Sequence, residues 1–247
     1  MALEPQPLLC YNFNMTVFAS LGIVILSMLI MSSLQIVPGI FALFYHYALG
    51  KHSHKNASIL GLFFILGVEV LSACLFLSSY YLVSVLFLNR LRPENSYFVW
   101  LAAGITSALA ISSFLFYYRK GSSKTFLSRK HVKNIYTHAK NANRPSDAFT
   151  LGALSNVCEI AFTLPLYIIT SIEIMEMHTE YIADNLITVL YIITPTIPLF
   201  FIYYKYHTHH NLADIIKSRK KDQPFTRFIL SFSYLTITFL ILIFRAI

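Results

Sequence analysis

Six stretches of this chain, near 16–49, 59–88, 97–118, 148–172, 185–204 and 226–244, are runs of apolar residues long enough to cross a membrane as helices. About 20 such residues span the roughly 30 Å hydrocarbon core of a bilayer. Inside hydrocarbon every backbone N–H and C=O must find its partner within the protein, and a helix achieves this with its own residues. The runs therefore predict an all-α membrane protein with six transmembrane helices. Composition agrees: 56% of the 247 residues are hydrophobic and 12% are charged, against about a quarter charged in soluble domains. The opening segment MALEPQPLLCYNFN carries no Lys or Arg. It lacks the basic start of a signal peptide, so the first span is expected to stay.

The net charge of +8 is distributed as a topology signal, and no nucleic-acid partner is expected from it. Lys51 and Lys55 lie in connector 50–58. Arg119, Lys120, Lys124, Arg129, Lys130, Lys133, Lys140 and Arg144 lie in connector 119–147. Lys205, Lys217, Arg219, Lys220, Lys221 and Arg227 lie in connector 205–227. Sixteen of the nineteen basic residues thus fall on alternate loops, while Glu4, Glu94, Glu173, Glu176, Glu180 and Asp184 collect on the other side. Cytoplasmic loops are enriched in Lys and Arg. The expected protein is a multi-pass component of the plasma membrane with both termini outside, its basic loops resting against anionic lipid.

The longest basic connector, 119–147, separates a first three-helix half (1–118) from a second (148–247). An odd number of spans per half inverts the second relative to the first, which is a common transporter plan. The first span of each half holds a proline, Pro38 (followed by Gly39) and Pro165. Proline removes a backbone donor and crowds the preceding turn. The first and fourth helices are therefore expected to be broken at proline. Pro195, with Pro198 nearby in YIITPTIPLFF, predicts a further kink in the fifth.

Two acids lie inside apolar spans: Glu69 in LGLFFILGVEVLSACLF and Glu159 in AFTLGALSNVCEIAFTLPLYIIT. A carboxylate in hydrocarbon costs several kcal/mol unless paired, protonated or hydrated, so such residues commonly mark an ion or substrate path. Counted from their basic loops, Glu69, Glu159 and Pro38 lie about 16–18 Å deep, near the midplane, and Pro195 lies about as deep from the outer side. Gln35, Ser155 and Asn156 fall close to the same depth. They are read either as ligands to a substrate or as interhelical hydrogen-bond glue. His46 sits about one turn inside the cytoplasmic surface, as a helix anchor or a gate. His52 and His54 in the first inner loop, and His207, His209 and His210 in the fifth connector, are weak metal candidates. Imidazole suits soft divalent ions, yet no Cys or carboxylate stands beside them at a ligand spacing.

The three cysteines, Cys10, Cys74 and Cys158, form no CxxC and imply no disulfide framework. The chain has no GxSxG, HExxH or P-loop, so it is not read as an enzyme and no cofactor is expected. A homo-oligomer is left open.

The stretch SSLQIVPGIFALFYHYALGKHSHKNASILGLFFILGVE resembles the opening of the lysine-exporter (LysE) superfamily. The resemblance rests on Pro38-Gly39 in the first helix, the basic loop from Lys51 to Lys55, and the F-x-L-G run Phe64-Ile65-Leu66-Gly67. It implies six spans arranged three plus three, with Pro165 as the second proline. Departures are the absence of the second proline of a Pro-Gly-Pro and of an Asn-Pro pair in the second half. The resulting expectation is ion-coupled export of a small solute or cation through a midplane site. The alternatives are a DsbD-type thiol relay through Cys74 and Cys158, for which the partner cysteine near Pro38 is missing, and a membrane assembly factor that transports nothing.

Overall fold

The computed structural model describes residues 8–34, 44, 54–88, 96–116, 135, 137–157, 160–177, 181–209 and 212–245. Every element among them is helical: α1 (Leu8–Leu34), α2 (His54–Leu88), α3 (Ser96–Phe116), α4 (Pro145–Val157), α5 (Ile160–Glu176), α6 (Tyr181–Ile193), a 3-10 turn (Thr194–Thr196), α7 (Ile197–His209) and α8 (Leu212–Arg245). No strand occurs among the described residues.

Two segments are long and apolar enough to cross a membrane, Asn56–Leu86 and Asp184–Thr208. The pair Pro145–Val157 and Phe162–Glu176, bent by 76°, makes a third if taken as one span. The surface agrees with an apolar surround. Phe18 (73% exposed), Tyr81 (71%) and Phe239 (62%) point outward, as do Leu66, Ile111, Leu186 and Phe200. Serine and threonine, among them Ser27, Thr106, Thr163 and Thr170, are buried instead. Water would drive the apolar groups in. Lipid tails are as apolar as leucine, so helices there associate through close packing and polar contacts.

The elements begin and end for local reasons. At the start of α4, Pro145 occupies a first-turn position, where its missing N–H costs nothing. Asp147 reaches back so that Oδ2 accepts from the backbone N–H of Arg144 (3.0 Å) and Asn143 (3.2 Å), which satisfies donors that the helix leaves unpaired. Between α6 and α7 the chain tightens at Thr194-Pro195-Thr196. Pro195 withholds the N–H that the Tyr191 carbonyl would take, and Pro198 withholds the one for Thr194. The Thr194 carbonyl accepts instead from the Ile197 N–H and from the Ser32 hydroxyl of α1 at 3.1 Å.

The helices that precede the long basic connector pack chiefly on those that follow it. Among the described residues, α2 lies along α4 and α5, α3 lies along α8, and α1 lies against α8 and α5. None of α1, α2 and α3 contacts another of the three extensively. The two halves are thus interleaved, and the hydrophobic core is shared between them. One core cluster runs from Phe64, Ile65 and Val68 to Leu151 and Leu199. The other joins Ile23, Ile30 and Phe76 to Leu166, Tyr167, Tyr191 and Tyr234.

The α2–α4 crossing is backbone against backbone. A side-chain carbon added to Gly67 would collide with the Phe149 carbonyl. One added to Gly152 would collide with the Phe64 carbonyl. Small residues at this kind of crossing let two membrane helices approach closely.

One expectation is corrected. Pro165 does not break the fourth span: it lies inside α5. The run 148–172, expected to hold one break, falls on α4 and α5, which are bent by 76° relative to each other. A proline within a membrane helix is tolerated when neighbouring helices and hydroxyls re-satisfy the carbonyl it frees. Pro38 and Gly39, the expected break in the first span, lie outside the described residues.

Candidate functional site

Glu69 sits in the middle of the 31-residue apolar segment of α2. It is 13 residues from one end, about 20 Å of helix. Its carboxyl meets the side chain of Thr196 in the 3-10 turn. Its Oε2 is enclosed and has no hydrogen-bond partner. The acid and the interrupted span therefore face each other inside the bundle.

Thr196 gives this contact two settings. Its Oγ1 donates to the Ile193 carbonyl at 2.8 Å. A hydroxyl has one proton and two lone pairs. With the proton on Ile193, Thr196 offers Glu69 a lone pair, which suits a protonated acid. With the hydroxyl turned, it donates to a carboxylate. Both protonation states of Glu69 are thereby accommodated without moving a helix.

Asn156 and Ser155 are both buried in α4. The Asn156 amide donates to the Val68 carbonyl (3.2 Å) and to the Ser72 hydroxyl (2.8 Å) of α2. These two bonds bracket Glu69 along its helix. Ser155 donates to the Leu151 carbonyl of its own helix at 2.8 Å. Of the two roles weighed for this pair, Asn156 performs the interhelical one. Glu159, Gln35 and His46 lie outside the described residues, as do Cys158, His52 and His210.

His207 lies at the other end of α7. Its Nδ1 is 3.1 Å from the Ser58 hydroxyl, and its ring stacks on Tyr203 with centroids 6.2 Å apart. The backbones of His54 and His209 lie in α2 and α7. No group of three or more potential metal ligands occurs among the described residues. Cys74 is exposed on α2, on the stripe that also turns Val70, Leu77 and Tyr81 outward.

A second set of polar groups was missed in the sequence. Tyr167 and Tyr191 meet edge to face at 6.1 Å, and both pack on Phe76 of α2. The Tyr191 hydroxyl lies beside that of Thr170, with the Tyr167 and Tyr234 phenols in its surroundings. Beyond this contact with each other, neither the Tyr191 nor the Thr170 oxygen has a hydrogen-bond partner among the described residues. Tyrosines and threonines scattered through apolar runs attract little notice. Their signal is the spacing on α5, where Thr163, Tyr167, Thr170 and Glu173 follow one another at intervals of four, three and three.

The F-x-L-G run also has an unnoticed second copy, Phe149-Thr150-Leu151-Gly152. The two copies supply the glycines and carbonyls of the α2–α4 crossing. Comparison of the chain with family models, with curated proteins and with solved structures gives no match. The resemblance to the lysine-exporter superfamily rests on the quoted residues alone.

Proposed function

We propose that this chain is a six-span membrane transporter that exports a small solute or cation in exchange for an ion. Its two halves run inverted, and both termini face out. The observation that carries the reading is the enclosed, unpartnered oxygen of Glu69 opposite Thr196. An acid kept at mid-membrane against an interrupted helix is the arrangement of an ion-coupling site. Interleaving of the halves supports the same reading, because a shared core can rock about a central site. The outward position of Cys74 weighs against the thiol relay, which needs a cysteine facing its partner inside the bundle.

The test is flux in proteoliposomes carrying an internal pH dye, with gradients of lysine and of potassium imposed in turn. Wild-type protein is expected to move protons against one of these gradients. Glu69→Gln keeps the volume and some hydrogen-bonding capacity but neither titrates nor neutralises a cation. It is expected to abolish the movement while leaving the thermal midpoint in place. Full flux in the Gln variant would overturn the reading.

A further inference from the structure

The helix that follows the 3-10 turn returns along α2 and meets it at four levels. Ser58 of α2 lies 3.1 Å from the ring of His207 on α7. Deeper in, a side-chain carbon added to Gly61 would stand 3.1 Å from the Tyr203 ring and 2.8 Å from that of Phe44. Ile65 and Leu199 are buried in one core cluster. Glu69 then meets Thr196, the last residue of the turn. Eleven residues separate Ser58 from Glu69, and eleven separate Thr196 from His207. The two helices are therefore antiparallel and in register over about 16 Å. Along that length α7 covers the flank of α2, from the acid to one turn from where α2 begins.

The two ends of α7 are held differently. At its start, Pro195 and Pro198 leave the Tyr191 and Thr194 carbonyls without their regular helical donors, and a helix bends most readily where its ladder is interrupted in this way. At its far end the polar tie to α2 is the Ser58–His207 bond, and His207 is exposed. Between the two, Gly61 offers no side chain to interlock with Tyr203, so these surfaces can part. Among the described residues α7 packs chiefly on α2. Its opposite side, with Ile197, Phe200, Phe201 and Tyr204, is 48–63% exposed. Outward movement of α7 therefore displaces no described helix.

We infer that α7 is a gate on the His207 side of Glu69, hinged at Thr194-Pro195-Thr196 and latched by Ser58 and His207. With the latch made, Tyr203 and Leu199 lie against α2 and shut the acid off from that end. With the latch broken, α7 swings outward about the turn and opens the carboxyl to that side, the cytoplasmic one in the topology proposed above. A hinge of this kind needs only a few element-terminal residues to change conformation. Because it lies beside the acid, the swing moves Thr196 least and His207 most. The inference rests on the ion-coupling reading of Glu69 and adds where access to that site is controlled.

The test is thiol reactivity beneath the gate. In a full-length chain whose Cys10, Cys74 and Cys158 are replaced by Ala, Thr196→Cys puts a thiol at a position that is 1% exposed. Its rate of modification by N-ethylmaleimide in the purified protein, followed by mass, measures how often α7 stands open. His207→Ala and Ser58→Ala are each expected to raise that rate about fivefold, the factor that loss of one ordinary hydrogen bond gives to an opening equilibrium. The thermal midpoint should stay in place, since the bond lies at the surface. Thr208→Ala removes a hydroxyl that bonds to the Tyr204 carbonyl of its own helix, and it should leave the rate unchanged. An unchanged rate in both latch variants would overturn the gate. A raised rate accompanied by a fall in thermal midpoint would also overturn it, because the bundle would then have loosened as a whole. Retained flux in Glu69→Gln, by contrast, removes the transport reading and leaves the labelling result standing, because labelling needs no flux.

Discussion

Gly67 of α2 and Gly152 of α4 make the same contact in both directions, each lying against the carbonyl of the phenylalanine three residues before the other. Both colliding atoms are backbone, so the helices must separate to admit a methyl. Gly67→Ala or Gly152→Ala is expected to cost about 2–3 kcal/mol, in the range of core overpacking. The double variant should cost little more than either single one, because one separation relieves both clashes. Gly104 on α3 has nothing within 4 Å of an added carbon, and Gly104→Ala should be neutral or stabilising by up to about 1 kcal/mol. Unfolding in mixed detergent micelles measures all four.

Asn156 and Ser155 are neighbours with different work. Asn156→Leu removes the bonds to the Val68 carbonyl and the Ser72 hydroxyl of α2. A loss of about 1 kcal/mol is expected, as for other interhelical hydrogen bonds in membranes. Ser155→Ala removes only a bond within its own helix and should change stability by less than half of that. Equal effects would show that Ser155 has a partner beyond Leu151.

The 3-10 turn holds Thr196 against Glu69. Pro195→Ala restores a donor to the Tyr191 carbonyl and permits regular helix through the turn. Stability should stay level or rise by about 1 kcal/mol, since proline in a helix is costly. Flux should fall, because a rewound turn carries Thr196 away from Glu69. Full flux with unchanged stability would mean that the interruption plays no part in the site.

Topology is open to chemical labelling. A cysteine introduced at Ser123, in a chain stripped of its own three cysteines, should resist an impermeant maleimide in intact cells and react after lysis. One introduced at Asn95 should react in both. The reverse pattern would invert the assignment and place both termini in the cytoplasm.

The all-helical class could be read from the chain, because apolar length is a coarse property, although two helices, or three with the bent pair, rather than six are long and apolar enough to cross a membrane among the described residues. The interruption at Pro195 was legible for a similar reason: two prolines three apart withdraw two donors from a single turn. The bend between α4 and α5 was misplaced at Pro165, since proline weakens a helix locally while the neighbours decide whether it breaks. The Thr163–Glu173 stripe was overlooked because each residue alone is ordinary. It becomes visible only when the helical period is laid over the hydroxyls. The second F-x-L-G was overlooked for the opposite reason, as a four-residue pattern that acquires meaning only when both copies meet.

The interleaving of the halves has a consequence for how the protein is made. When the first three helices have left the ribosome, their partners α4, α5 and α8 do not yet exist. At about 5–20 residues per second, the remaining chain of roughly 130 residues takes on the order of 6–26 s to arrive. Through that interval Gly67 and the buried faces of α1 and α3 stand open in the bilayer. A nascent chain in this condition is exposed to membrane proteases and to other copies of itself. The insertion machinery must therefore shelter the early helices, and a truncated first half should be degraded unless the second is supplied as a separate polypeptide.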